Sequence, residues 1–174
     1  STPPDMAAGA TATLVTVLLR EGQIAEAERQ LDGLRRNLGE ENAARLTLQV
    51  ADGWIREGNL DRAEGVLAGD STVEALAMSG VIRLYRGDLA GAATALRSAG
   101  PFAGSREEAT QRTAFLALIQ PIEADSLPAL GSALLSLAQG DSAEAVTRLV
   151  TVADGLPAAG GGAELRLLAG RVEA

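Results

Sequence analysis

Glu21-Gly22-Gln23-Ile24-Ala25-Glu26-Ala27 returns three times in altered form: as Glu57-Gly58-Asn59-Leu60-Asp61-Arg62-Ala63, as Arg86-Gly87-Asp88-Leu89-Ala90-Gly91-Ala92 and as Gln139-Gly140-Asp141-Ser142-Ala143-Glu144-Ala145. In each copy an Ala stands five residues after the Gly (27, 63, 92, 145) and a Leu nine after it (31, 67, 96, 149). Gly ends a helix in the left-handed conformation without a Cβ penalty. The Gln, Asn or Asp that follows can bond the open start of the next helix, and Asp141 with Glu144 has capping-box spacing. A small Ala lets two antiparallel helices approach, and Leu one turn on fills the space behind it. Four helix-turn-helix hairpins are predicted.

The flanks carry the matching stripes. Leu14 and Leu18 precede the first Gly; Ile24, Ala27, Leu31 and Leu34 follow it at steps of 3, 4 and 3, and Ala145, Leu149, Val152 and Leu156 run at 4, 3 and 4. These are amphipathic helices with one buried face. Ser71 with Glu74 and Ser105 with Glu108 are further capping-box starts. The four glycines are 36, 29 and 53 residues apart. The short step leaves the second hairpin with a brief second helix ending near Gly69-Asp70. The long step holds an extra helix over about 105–122, broken near Pro121, and a terminal helix is expected over about 163–174. Ten helices result.

Composition agrees. The chain has 174 residues and just four aromatics, Trp54, Tyr85, Phe102 and Phe115. It is rich in Ala and Leu, so an all-α fold is expected over any β fold. Fifteen basic against twenty-three acidic residues give a net charge of −8, which argues against nucleic acid and anionic lipid as partners. Every basic residue is arginine, read as the coding bias of a GC-rich bacterial genome. The longest uncharged runs, Met6–Leu19 and Ser126–Gly140, span fourteen and fifteen residues, short of the roughly 20 needed to cross a bilayer. Residues 1–6, with Pro3-Pro4, read as an extended linker, and 7–174 as one domain with repeat units about 8–38, 41–70, 71–102 and 127–157. A chain that starts at Ser1 reads as a piece of a longer protein.

The four units resemble the tetratricopeptide repeat family. Ala51 and Gly80 fall where that family wants a small residue, Trp54 where it wants a large one, and Pro157 where it often closes a unit, whereas Arg83 replaces an apolar residue. The family's period is about 34, so this array is irregular. The resemblance implies a right-handed α-solenoid of stacked antiparallel hairpins that binds protein or peptide along a groove lined by the first helix of each pair. Mapped by distance from each Gly, the groove comprises Thr16, Leu19 and Arg20; Arg45, Leu48, Asp52, Ile55 and Arg56; and Val81, Leu84 and Tyr85. Arg20, Arg45 and Arg56 could grip a carboxylate by forked bonds, or be solvated and pair with Asp52. Family members that clamp a chain terminus with Lys and Asn would need them where this chain has Ala12, Thr16, Leu48 and Asp52, so that activity is not expected. Trp54 and Tyr85 fit a core as readily as a groove, Tyr85 being the better groove residue.

Chemistry finds few residues to use. The chain contains no His and no Cys, which removes the usual zinc, iron and copper ligand sets and the serine triad. The missing lysine removes a Ser-Lys dyad and a Schiff base. Gly160-Gly161-Gly162 lacks the Lys-Ser/Thr of a phosphate loop and reads as a connector. Glu40-Glu41 and Glu107-Glu108 could act as paired acids in a helical glycosidase, but both sit at helix starts, where the dipole explains them. No enzyme, cofactor or metal is expected. The expectation is a protein-binding scaffold, part of a bacterial protein or assembly, with an envelope location preferred to the cytoplasm. Alternatives are an accessory domain of an enzyme such as a cell-wall hydrolase, and a scaffold that self-associates through the terminal helix.

Overall fold

Each repeat turn closes by one device. Gly22, Gly58, Gly87 and Gly140 all take left-handed φ angles, of 73°, 78°, 82° and 82°. The next residue's amide then reaches back to the helix it has left: Gln23 to the Leu18 carbonyl and Asn59 to Trp54, both at 2.9 Å, and Asp88 to Arg83 and Asp141 to Ser136, both at 3.0 Å. These are Schellman closures. The same residue opens the following helix in three of the four turns. Asn59 accepts from the Arg62 amide at 3.1 Å, Asp88 from Gly91 at 2.8 Å and Asp141 from Glu144 at 3.1 Å. Gln23 makes no cap, and its amide donates to Glu21 instead, because its longer side chain carries the oxygen past the open amides.

The computed structural model describes residues 4–100 and 104–173, apart from the side chains of Pro4, Asp5, Leu38, Glu40, Glu41 and Asn42. Among the described residues the fold is all-α, with α1 (Pro4–Arg20), α2 (Ile24–Leu38), α3 (Glu40–Arg56), α4 (Leu60–Leu67), α5 (Val73–Tyr85), α6 (Leu89–Ala99), α7 (Arg106–Ile119), α8 (Pro128–Ala138), α9 (Ser142–Asp154) and α10 (Gly162–Glu173). Consecutive helices pack as pairs: α1 with α2, α3 with α4, α5 with α6, and α8 with α9. The chain divides into two compact units, Ser1–Asp70 and Ser71–Ala174.

Three boundaries differ from the sequence reading. The linker gives way at Pro4, which opens α1 where a missing N–H costs nothing; residues 1–3 lie outside the described residues. The cap of α5 is Thr72, not Ser71, and it accepts from the Ala75 amide at 3.2 Å. The extra helix stops at Ile119, ahead of Pro121. Its start is as expected, with Ser105 and Glu108 bonding each other's amides in a full capping box.

In the first unit α3 packs on both α1 and α2. The repeat residues Ala27, Leu31 and Ala63 are fully buried there. The brief α4 is held at its end by a residue far away in sequence. Arg35 of α2 donates to the Val66 carbonyl at 2.7 Å and to Thr47 Oγ1 of α3 at 2.9 Å. A cation at open carbonyls in a last turn also suits the helix dipole. Arg35→Met keeps the apolar stem and removes the forked donor. It is expected to cost about 2 kcal/mol, the range for bonds to a charged group, as a lower urea midpoint followed by fluorescence of Trp54, the single tryptophan.

In the second unit α5 packs on α6 and on α8, α9 on α8 and α10, and the inserted α7 on α6. The segment between α7 and α8 does the joining. The Asp125 carbonyl accepts from the Leu89 and Ala90 amides at 2.9 and 3.1 Å, capping α6, and the Leu127 amide donates to the Gly87 carbonyl at 2.7 Å. Gly131 brings α8 so near the turn after α5 that a Cβ there would stand 2.5 Å from Gly87 N and from the Tyr85 carbonyl oxygen. Ala92, Ala145 and Leu149 are fully buried.

Candidate functional site

Apart from Arg45 and Leu48, the groove residues fall at three recurring distances before each Gly, and the structure sorts them by that distance. Six residues before it stand Thr16, Asp52 and Val81, all half-buried. Three before it stand Leu19, half-buried, and Ile55 and Leu84, which are in the core. That position packs between helices. A Cβ on Gly53 of α3 would lie 3.4 Å from Leu19 Cδ2 of α1, so Leu19 spends its surface on α3. Ile55 and Leu84 therefore have no face to offer a partner, contrary to the groove expectation.

Two before the Gly stand Arg20 and Arg56, both exposed, and Tyr85, which is 7% exposed. Tyr85 is the exception, and a ring from α7 lies against it. The Phe115 ring meets it edge-on, with centroids 6.3 Å apart at 84°, a favoured aromatic geometry. Tyr85 belongs to the core.

The residues that remain at the surface are on the first unit. Arg45 and Arg56 of α3 are exposed, Leu48 and Asp52 half-buried. Their spacing of 3, 4 and 4 places them on one stripe of the helix. Thr16 and Arg20 run along α1, which packs on α3. Within the stripe Arg56 Nε meets Asp52 Oδ2 at 2.9 Å, an exposed i,i+4 pair worth a few tenths of a kcal/mol that a better acceptor can replace. Trp54, on the opposite face of α3, is committed elsewhere. Its Nε1 donates to Glu28 Oε2 at 2.8 Å, Arg62 shares that carboxylate at 3.0 Å, and the Arg62 guanidinium lies 5.0 Å from the indole centroid.

The paired acids divide. Glu40 and Glu41 lie outside the described side chains. Glu108 accepts from the Ser105 amide at 2.5 Å as a structural cap, and Glu107 beside it is exposed. Among the described residues no three acidic side chains cluster as metal ligands would, and no helix is long and apolar enough to cross a membrane. A cleft of about 180 Å³ lies between α6 and α7, walled by Leu96, Arg97, Ala109, Arg112 and Leu116. The terminal helix α10 shows solvent mainly charged positions, Glu164, Arg166, Arg171 and Glu173, with Leu167 among them. Sequence reasoning missed a different surface. The run Met6–Leu19, too short to span a membrane, leaves Met6, Leu14 and Val17 exposed on α1. The signal was already there, in an uncharged helix with more apolar positions than one buried face can use. No family model matches this chain, and no similar curated protein or solved structure is found for it.

Proposed function

We propose that this chain is a non-catalytic protein-binding module, a helical scaffold piece of a larger bacterial protein or assembly. The observation that carries the reading is the stripe Arg45–Leu48–Asp52–Arg56 on α3, alongside Thr16 and Arg20 of α1. It combines exposed guanidinium groups with a half-buried leucine. Guanidinium groups fork onto carboxylates, and a leucine between them accepts an apolar side chain. The partner that fits is an extended acidic segment of another protein. The sequence similarity of the hairpins to tetratricopeptide repeats, which bind peptides along their first helices, points the same way.

A displayed random-peptide library panned against the purified chain tests this. Selection of acidic, apolar-containing peptides is expected, with affinity falling at least about tenfold in Arg45→Glu and Arg56→Glu, as loss of a charged hydrogen-bonded pair implies. Peptides without acidic residues, or affinity unchanged by both reversals, would defeat the proposal.

A further inference from the structure

Three of the most solvent-open large apolar side chains lie on one helix. In α1 Met6 is 66% exposed, Leu14 43% and Val17 42%. At 100° per residue they share one arc with the exposed Ala7, Ala10 and Thr13. Val15 and Leu18, beyond the edge of that arc, are buried in the core. No charge interrupts the sequence from Met6 to Leu19. On α10, by contrast, Leu167 is 57% exposed but stands among charged positions.

We infer that this face is where two copies of the chain meet, α1 against α1, antiparallel about a two-fold axis. A two-fold interface must complement itself, and this stripe does. With Ala12 level with the axis, Leu14 of one copy faces Ala10 of the other, Val17 faces Ala7, and each pairing occurs twice. Large against small on both sides permits the close end of the usual range of helix separation, about 8 Å. The same pairing brings the last turn of one helix level with the first turn of the other. An acidic or basic partner finds no charge to pair with between Met6 and Leu19, so an uncharged copy of the same face suits it better.

The area sets the strength. A helix of 17 residues is about 26 Å long, and such a strip on two copies buries on the order of 800 Å² in total, below the roughly 1,200 Å² of stable interfaces. The dimer is therefore weak. Because each copy carries a net charge of −8, salt strengthens it by screening their repulsion. This inference rests on α1 alone and stands or falls separately from the arginine stripe.

Sedimentation velocity on the full chain from about 10 µM to 1 mM, in 0.05 and 0.5 M salt, is the test. A monomer–dimer equilibrium that tightens with salt is expected. Leu14→Glu shifts its midpoint upward at least about tenfold, and Ala10→Leu, which blocks the partner's Leu14 without adding charge, does the same. Leu167→Glu leaves it unchanged, and unaltered helicity by circular dichroism shows that each variant is folded. In this cysteine-free chain, Thr13→Cys forms a covalent dimer under mild oxidation and Ala163→Cys does not. A monomer at 1 mM in high salt overturns the inference. So does a dimer that survives Leu14→Glu and Ala10→Leu, and loss of the dimer in Leu167→Glu alone would place the contact on α10 instead.

Discussion

Gly131→Val lowers the melting temperature by about 10 °C. The Cβ would stand 2.5 Å from Gly87 N and the Tyr85 carbonyl oxygen and 2.8 Å from the Leu84 carbonyl oxygen. All three are backbone atoms, fixed by the Schellman closure of α5, so no rotamer change relieves the clash. Overpacking of this kind costs about 3 kcal/mol, and about 3 °C is lost per kcal/mol in a chain of this size. Pushing α8 away also breaks the Leu127 amide bond to the Gly87 carbonyl and pulls the Asp125 carbonyl from the start of α6. Two other glycines separate this cause from glycine's general properties. At Gly140 the φ is 82° but nothing lies within 4 Å of a Cβ, so Gly140→Ala should cost only about 1 kcal/mol for the left-handed backbone. Gly170 of α10 has open space and an ordinary φ, so Gly170→Ala should stabilise by up to about 1 kcal/mol through helix propensity. Thermal melts by far-UV circular dichroism rank the three. A Gly131→Val melt no worse than that of Gly140→Ala would show that α8 is not docked on the turn.

Leu149→Ala is expected to cost about 3 kcal/mol in urea unfolding. Leu149 holds the ninth position after the fourth repeat Gly and is fully buried. Removing a buried isobutyl group loses its transfer free energy and leaves a cavity that the backbone only partly closes, a combination worth about 2–5 kcal/mol. Leu149→Met, nearly equal in volume, should cost less than about 1.5 kcal/mol. The neighbouring Val150 is 40% exposed, and Val150→Ala should stay within about 0.5 kcal/mol. The contrast between adjacent residues reads out the helix face directly. Equal losses at 149 and 150 would mean that the repeat leucines do not face the core.

Much of this architecture was legible without coordinates, because the decisive signals are local. A glycine that must be left-handed, a cap three residues before the amide it serves and an apolar step of three or four act within one or two helical turns. The repeat alanines at 27, 63, 92 and 145 are all fully buried, as their spacing predicts. Where the local signal was ambiguous, the reading slipped by a residue, as at Ser71 and Thr72, either of which could cap α5.

The candidate surface was far less legible. Distance from a Gly gives the helical face but not what lies across from it. Ile55, Leu84 and Tyr85 were placed in a groove because their positions are solvent-facing in a regular array. Here α7, present only because the third interval is 53 residues, sets Phe115 against Tyr85, and α8 closes on the turn after α5. Burial of Leu84 and Tyr85 is a property of segments far apart in sequence, and no periodicity within either one encodes it.

By itself, then, the sequence determined the hairpins, their number and their turns, together with an acidic chain lacking the side chains of most catalytic sites. These follow from residue types and short-range spacing. Tertiary structure decided which faces are spent. Arg35 reaches across α3 to close α4, Trp54 is committed to Glu28 and Arg62, and α1 keeps Met6, Leu14 and Val17 for solvent. Which apolar residues find a neighbour depends on contacts closed across the fold, and such contacts are set by the packing of whole helices.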